Sequence, residues 1–230
     1  MTARMTTKNT RERLLDSVEA VIREAAGPED VTVRRIIARA DTNISSISYH
    51  FTSLERLVVA CAMRVYRRLN VERLTELQEA VDAARPGPPE TRRIVRALIG
   101  PSLRWSHDPA SPYAVFHYLN HLTSLSDHPD SFRDMINDVD HHMTFVHYLH
   151  QAAPWFTESQ IRWRLTAALG VRSQITRQPT RVEVLTGESL TGDPEHIIDT
   201  LCEIIEATFQ RPPGPRRKLS DAVPRVSNSV

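Results

Sequence analysis

Apolar residues along this chain recur at spacings of three and four positions far more often than they alternate, which is the periodicity of amphipathic helices. The first helix is predicted over 10–25 and ends at the sequence GPED. A short second helix begins after Thr32, whose hydroxyl can cap it, and a third runs from the capping residue Asn43 through Phe51. The N-terminal quarter therefore predicts three helices joined by tight turns.

A long fourth helix is predicted from Leu54 to about Ala84, and the sequence RPGPPE that follows it is a strong helix terminator. Further helices are expected at roughly 90–105, 112–126, 130–152, 157–178 and 194–210. The sequence PTRVEVLTGESLTGDP between the last two is predicted to be a loop, with Asp193 and Pro194 starting the final helix. Because no long strand-like alternation occurs, the pattern predicts an all-α fold with a small N-terminal and a larger C-terminal helical domain.

Composition and charge limit the function classes. The chain has 230 residues, of which 40% are hydrophobic and 25% charged, and this describes an ordinary globular protein. Its formal net charge is only +1, so any nucleic-acid surface must be a local patch. The tail from Arg211 contains four prolines and no apolar face, which predicts disorder over 211–230.

The two cysteines and the absence of long apolar runs bear on location. Cys61 and Cys202 lie in apolar helical patterns, where free cysteine commonly behaves as a small buried hydrophobe, and a reducing cytosol fits this usage. No apolar run approaches about 18 residues, and the N-terminus lacks the apolar region of a signal peptide. The sequence therefore predicts a soluble, cytoplasmic protein without a membrane partner.

The third predicted helix has an unusual outer face. Ile44, Ile47 and Phe51 are expected to point inward. The other face then carries hydroxyl-bearing side chains: Ser45, Ser46, Ser48 and Tyr49. Such side chains allow a helix to lie close in the DNA major groove, about 12 Å wide, where hydroxyls bond base edges. A merely solvated polar surface is the alternative.

Three consecutive stretches carry a family resemblance: TVRRIIARADTN, ISSISYHF and TSLERLV. From about Thr10 to Cys61 they are similar to the helix-turn-helix domain of the TetR family of bacterial transcription regulators. The resemblance implies a three-helix DNA-binding domain at 1–56 and a larger ligand-binding and dimerisation domain at 57–210. It also implies contacts to double-stranded DNA from Thr32, Arg34, Asn43, Ser45, Ser46, Ser48, Tyr49 and His50.

Two positions depart from the family pattern. The usual glycine of the turn is Asp41, a residue that adopts the left-handed conformation less readily than glycine but better than most. The usual lysine that opens the fourth helix and contacts phosphate is Leu54. Either the affinity for DNA is reduced, or Arg56 substitutes for that lysine.

The resemblance also implies a homodimer and an effector pocket. In such proteins the last two long helices form the interface, which indicates Ile161, Leu165, Leu169, Ile197, Leu201, Ile204 and Ile205; an internal helix pair would explain the same spacing. Pocket candidates are Trp105, Phe116, His117, Leu119, His121, Met135, Val139, His142, Met143 and Val146, although such stripes are also typical of plain core. The segment IRWRLTAALG resembles one found in members that respond to lipophilic molecules.

Histidine is concentrated in the middle of the chain, since seven of the ten lie between His117 and His150. A metal-dependent hydrolase, or a metal-sensing regulator, built from His117, His121, Asp138 and His142 is the alternative hypothesis. No HExxH or Cys-His finger spacing supports it, so we expect no metal, no cofactor and no enzymatic activity. The favoured interpretation is a repressor that a small lipophilic effector releases from a palindromic operator.

Overall fold

The computed structural model describes residues 9–125, 133 and 137–213. Within these ranges the full bounds of ten α-helices and of one short 3-10 helix at Pro28–Asp30 are described and no strand occurs, which confirms the all-α prediction. The helices are α1 Thr10–Glu24, α2 Val33–Arg39, α3 Ile44–Phe51, α4 Leu54–Ala84, α5 Thr91–His107, α6 Ala114–Leu125, α7 Asp140–Ala152, α8 Glu158–Arg177, α9 Pro179–Thr186 and α10 Pro194–Ala207. None of the helices in these ranges is both long and apolar enough to cross a membrane.

Helix starts are fixed by side chains that accept hydrogen bonds from first-turn amides, which otherwise lack partners. The predicted caps Thr32 and Asn43 are confirmed: the Thr32 hydroxyl accepts from the Arg35 N–H at 3.3 Å, and the side-chain oxygen Oδ1 of Asn43 accepts from the Ser46 N–H at 3.2 Å. Asp193 caps α10 in the same way. The local sequence therefore sets where these helices begin.

Two predicted boundaries are wrong. The helix predicted over 130–152 is not continuous: Arg133 and Asn137 are helical, but Asp138 and Val139 are not, and α7 begins at Asp140, where an acidic residue in the first turn favours a helix start; 130–132 and 134–136 lie outside the described residues. The predicted loop after 178 contains α9, which Pro179 opens and Gly187 closes at φ 72°. Residues 214–230 of the predicted disordered tail lie outside the described residues.

The helices build two hydrophobic cores that share one helix. The N-terminal core contains the buried residues of α1, α2 and α3, the first part of α4 as far as Val65, and Val115 and Leu119 of α6. The C-terminal core contains Leu77 of α4 with the buried faces of α5, α7, α8 and α10. Because α4 enters both cores, it fixes the position of the short N-terminal helices relative to the rest of the chain.

Ion pairs reinforce the contact between α1 and α4. The Arg64 guanidinium lies 2.8 Å from the Asp16 carboxylate and 3.0 Å from that of Glu19, and Arg68 lies 3.0 Å from Glu19. Arg64 and Glu19 are largely buried, so the solvent screens their attraction less than that of an exposed pair. The two cysteines are free and buried, as predicted, and burial raises the pKa of Cys61 to about 12.

Backbone strain is concentrated at the residue that ends α3. Thr52 has φ 66° and ψ −36°, a conformation that a β-branched residue rarely adopts. We expect Thr52→Gly to raise the free energy of unfolding by about 1 kcal/mol, since relief of roughly 1–3 kcal/mol of strain outweighs the extra freedom of glycine in the unfolded chain. Urea denaturation measures this change.

Thr52→Ala is the matched control, because alanine removes the branch but keeps the Cβ atom that disfavours a positive φ. It should recover only part of the gain. Equal stabilisation by both variants would show that side-chain effects, and not the backbone conformation, explain the change.

Candidate nucleic-acid interface and ligand cavity

The turn between α2 and α3 sets the angle of α3. Asp41 adopts φ 47°, the left-handed conformation that glycine allows most easily, so the residue that departs from the family pattern takes the expected backbone geometry. The Thr42 N–H donates to the Ile37 carbonyl at 3.1 Å, and Arg13 of α1 donates to the Asp41 carbonyl at 3.4 Å. These bonds hold the turn against α1 and α2.

Helix α3 buries one face and exposes the other. Ile47 and Phe51 are buried in the N-terminal core, as predicted. Ile44 is 62% exposed, so its predicted inward position is wrong. Helical side chains lean toward the N-terminus, and in the first turn this carries Ile44 past the edge of the core. Tyr49 is 84% exposed, so the outer face consists of Ile44, Ser45, Ser48 and Tyr49.

Several other predicted DNA contacts have internal partners. The Ser46 hydroxyl lies 2.6 Å from the Thr42 hydroxyl and within reach of Asn43, so it is half-buried in the turn. Asn43 and Thr32 are exposed, but their side chains cap helices. The side chains of Asn43 and Ser46 therefore stabilise the turn and the start of α3 through these internal hydrogen bonds.

The basic side chains near α3 are unevenly engaged. Arg34 is exposed, and no described carboxylate forms an ion pair with it. Leu54 packs against the N-terminal core, whereas Arg56, two residues further along α4, is exposed. His50 is half-buried, with its ring centroid 4.8 Å from that of Tyr49. Exposed basic side chains are thus present on the two helices that flank α3, Arg34 on α2 and Arg56 on α4.

A cavity of about 300 Å³ lies among α4, α6 and α8. Two of the predicted pocket residues, Phe116 and Leu119, line it. The remaining lining residues were not predicted: Tyr66, Leu69, Tyr113, Asn120, Arg172, Ser173, Thr176 and Arg177. The lining is apolar at α4 and α6 and polar at α8, so the cavity has two chemically different sides.

The other pocket candidates lie elsewhere. Trp105 packs on the N-terminal core and donates from its ring N–H to Glu72 at 2.9 Å, and Val146 is buried in the C-terminal core. Met143 packs against the same core, and Val139 is exposed. Met135 lies outside the described residues. Apolar periodicity alone does not separate core residues from cavity residues, so the sequence pattern could not assign these side chains to one or the other.

The histidines do not come together as a metal site. His117 and His121 line a surface groove between α6 and α8, whereas Asp138 lines a groove beside α4, and no three potential metal ligands cluster anywhere in the described part of the chain. His142 lies with its ring centroid 3.9 Å from that of His141. Burial lowers the pKa of His142 to about 3, with His141 and Arg73 contributing, so the His142 ring is neutral near pH 7.

A buried polar cluster on α4 was missed altogether. Arg73 is 1% exposed and donates to the Asn70 side chain at 3.0 Å and to the Ser102 hydroxyl. Arg172 of α8 donates to the same hydroxyl at 3.2 Å. The Tyr66 hydroxyl lies 2.9 Å from Nε2 of His141. An arginine four residues from the apolar positions Leu69 and Leu77 was the sequence signal that could have revealed this cluster.

The residues predicted for a dimer interface are mostly internal. Buried side chains of the C-terminal core include Ile161, Leu165, Ile197, Leu201 and Ile205, and Leu169 is partly buried there. Only Ile204 among the seven is exposed, at 53%. The internal helix pair, which the sequence left open, thus explains most of this spacing, because one face of each helix is needed to close the core of the chain itself.

Two comparisons match known proteins over part of the chain. The family profile described as "Tetracyclin repressor-like, C-terminal domain" matches residues 96–208. An uncharacterized HTH-type transcriptional regulator from the dhlA 5' region of Xanthobacter autotrophicus is 33% identical over 97 residues, 41% of this chain. That match spans 46% of the relative, less than half of its length.

Solved structures share the fold at low sequence identity. The multidrug binding protein EbrR, complexed with imidazole, is 17% identical with a TM-score of 0.54, covering 90% of this chain and 99% of that one. A putative transcriptional regulator from Pseudomonas aeruginosa PAO1 is 17% identical with a TM-score of 0.56, covering 89% and 95%. A transcriptional regulator from Rhodococcus sp. Rha1 is 18% identical with a TM-score of 0.54, covering 86% and 96%.

The N-terminal helices form a helix-turn-helix with an exposed outer face, the C-terminal helices match the repressor-like profile, and the whole chain shares its all-α fold with solved regulators. Residues 96–208 therefore match the C-terminal domain of tetracycline-repressor-like proteins, and the chain as a whole shares its fold with these solved structures.

Proposed function

We propose that the chain is a homodimeric repressor that binds a palindromic operator and leaves it when a small, partly lipophilic effector enters the cavity. The observation that carries the DNA role is the outer face of α3, where Ile44 and Tyr49 are left exposed beside two serines. Large apolar and aromatic side chains on a free helix face are explained by a partner surface. This role requires the chain to act in the cytoplasm, as the sequence predicts.

The proposed docking follows from the four exposed side chains. Ser45 and Ser48 donate to or accept from base edges, and Ile44 offers an apolar contact to a thymine methyl group. Tyr49, near the end of the helix, contacts a base or a phosphate. Thr32, Arg34, His50 and Arg56 surround this face and hold phosphates, which fix the register of a helix without reading sequence.

The proposed dimer uses the outer faces of α8 and α10. Trp163 is 73% exposed and shares a face of α8 with Ala167 and Gly170, and a Cβ atom built at Gly170 would meet nothing within 4 Å. Ile204 shares a face of α10 with Ala207. Small residues around a large apolar anchor allow two helices to approach closely, and a two-fold arrangement would bury both faces against their copies.

Helix α6 provides the proposed coupling between effector and DNA. Leu119 lines the cavity and is also buried in the N-terminal core, together with Val115. A ligand seated between α6 and α8 therefore contacts a helix that packs directly against α1 and α4. An effector that prefers a shifted position of α6 also moves the α3 helices of the dimer away from the half-site spacing.

Selection from a randomised duplex pool at two salt concentrations tests the operator proposal. We expect a palindromic motif and an affinity that falls steeply with salt, because phosphate neutralisation releases counterions. Tyr49→Ala should weaken binding to the selected operator by tenfold or more, since a lost contact costs ~1–3 kcal/mol in each subunit. Fluorescence anisotropy measures the affinity.

Leu185→Ala is the control, since Leu185 is 73% exposed but lies on α9, away from α3. It should bind the operator like the wild type. Recovery of random sequences, or full operator affinity in Tyr49→Ala, would refute the assignment of α3 as the reading helix.

The dimer proposal is tested by charge insertion. Trp163→Glu should produce a monomer in sedimentation velocity, because an unpaired carboxylate would be desolvated at the proposed interface. Val184→Glu, at a residue 79% exposed on α9, adds the same charge outside the proposed interface and should leave the dimer intact. A Trp163→Glu protein that still sediments as a dimer would show that another surface joins the subunits.

A further inference from the structure

The most unusual group in the molecule is a buried arginine. Arg73 is the largest of the fully buried side chains, and its hydrogen-bond partners are the neutral side chains of Asn70 and Ser102. Its Nε atom has no partner in the described part of the chain. A guanidinium taken out of water is normally paired with a carboxylate, because the charge otherwise loses its hydration without compensation.

A second arginine increases the imbalance. Arg172 donates to the same Ser102 hydroxyl, and its Nε is likewise without a partner among the described residues. No ion pair with a described carboxylate forms at either arginine, although six other arginines, on α2, α4 and α5, do form such pairs between helices. Burial and the charge of Arg172 lower the pKa of Arg73 to about 10, so the Arg73 side chain stays protonated at neutral pH.

This excess positive charge lies at the cavity. Arg172 and Arg177 line it, and none of its lining residues is acidic. Arg73 does not line the cavity but lies next to a residue that does: its guanidinium carbon is 5.9 Å from the ring centroid of Tyr66, and Tyr66 lines the cavity. The opposite side is apolar, with Phe116 and Leu119 of α6. The cavity thus combines a cationic end with an apolar end.

We propose that the cavity takes an amphiphilic monocarboxylate, whose carboxylate pairs with Arg172 in the field of Arg73 and whose apolar part packs against α6. This inference rests on the proposed function and narrows the effector from a lipophilic molecule to a lipophilic acid. A planar guanidinium matches a carboxylate through two parallel hydrogen bonds, which a neutral amide or ester cannot reproduce. The volume of about 300 Å³ suits a single small ligand.

The two ends of such a ligand would contact helices that belong to different hydrophobic cores. The carboxylate end is held by α8 and by the charge on α4, which are both anchored in the C-terminal core. The apolar end contacts Leu119, which belongs to the N-terminal core. If the carboxylate end is fixed, the length of the apolar part decides how far the ligand displaces α6. Carboxylic acids with chains of different length should therefore differ in their effect on DNA binding.

The test uses linear carboxylates from butanoate to dodecanoate, together with 4-phenylbutanoate and indole-3-acetate, each compared with its primary amide. Thermal melting and calorimetric titration of the full chain measure binding, and anisotropy of the selected operator measures release. We expect at least one acid to raise the melting temperature and release the operator. Its amide should bind about tenfold or more weakly, the difference between charge-assisted and neutral hydrogen bonds.

Variants locate the effect. Arg172→Gln should abolish the preference for acid over amide, and Arg172→Lys, which keeps the charge but loses the planar fork, should retain part of it. Arg162→Gln is the control, since Arg162 is an exposed residue of α8 whose carboxylate partner is Glu158. If Arg172→Gln does not fold, the comparison of Arg172→Lys with the control still separates a contact to the ligand from a general effect of charge.

The outcomes separate this inference from the proposed function. If no acid of the series binds, if acids and amides bind equally, or if Arg172→Gln and Arg172→Lys both keep the full preference, the carboxylate assignment is wrong. Release of the operator by an amide and not by its acid would also refute the assignment while leaving the repressor proposal intact. A protein that selects no operator at all would refute the repressor proposal, whatever it binds in the cavity.

Discussion

The burial of one helix in two cores is the constraint on which the rest of the structure depends. With 31 residues, α4 is about 46 Å long at about 1.5 Å per residue. Its first turns complete the N-terminal core beneath α3, and Leu77 near its other end belongs to the C-terminal core. Neither core can shift along α4 without exposing apolar surface. The outer face of α3 and the cavity are therefore held at a fixed separation unless another helix moves.

Helix α6 is the element that can move, because it is held differently. It packs on α1 and α4 through Val115 and Leu119, but its side toward α8 faces the cavity rather than a filled core. A helix with one packed side and one open side can change position at less cost than α4, since fewer close contacts must be broken. The N-terminal core thus extends beyond the sequence of the helix-turn-helix and includes the helix that would sense a ligand.

The sequence predicted those parts of the fold that local chemistry determines. Capping by Asn43 and the inward positions of Ile47 and Phe51 follow from residues close in sequence, and both predictions are confirmed. The inward position predicted for Ile44 is wrong because the exposure of its side chain depends on where the N-terminal core ends. Helical periodicity carries no information about that tertiary boundary. The missed helix α9 has a single buried residue, Val182, so its apolar pattern was too weak to distinguish it from a loop.

The cavity was the least predictable feature, for a physical reason. Its cationic end joins Arg73 of α4 to Arg172 of α8 through Ser102 of α5, and these residues lie far apart in the sequence. An unpaired charge buried in a protein interior lowers the free energy of unfolding by several kcal/mol. Such a loss of stability is typical of a functional site, where another gain offsets it. A ligand that binds only the folded chain supplies that compensation, stabilising it in proportion to the logarithm of its concentration over its dissociation constant. The charges that lower the stability of the ligand-free protein would then make it respond to the ligand. The free energy gained when the ligand neutralises them becomes available to shift α6.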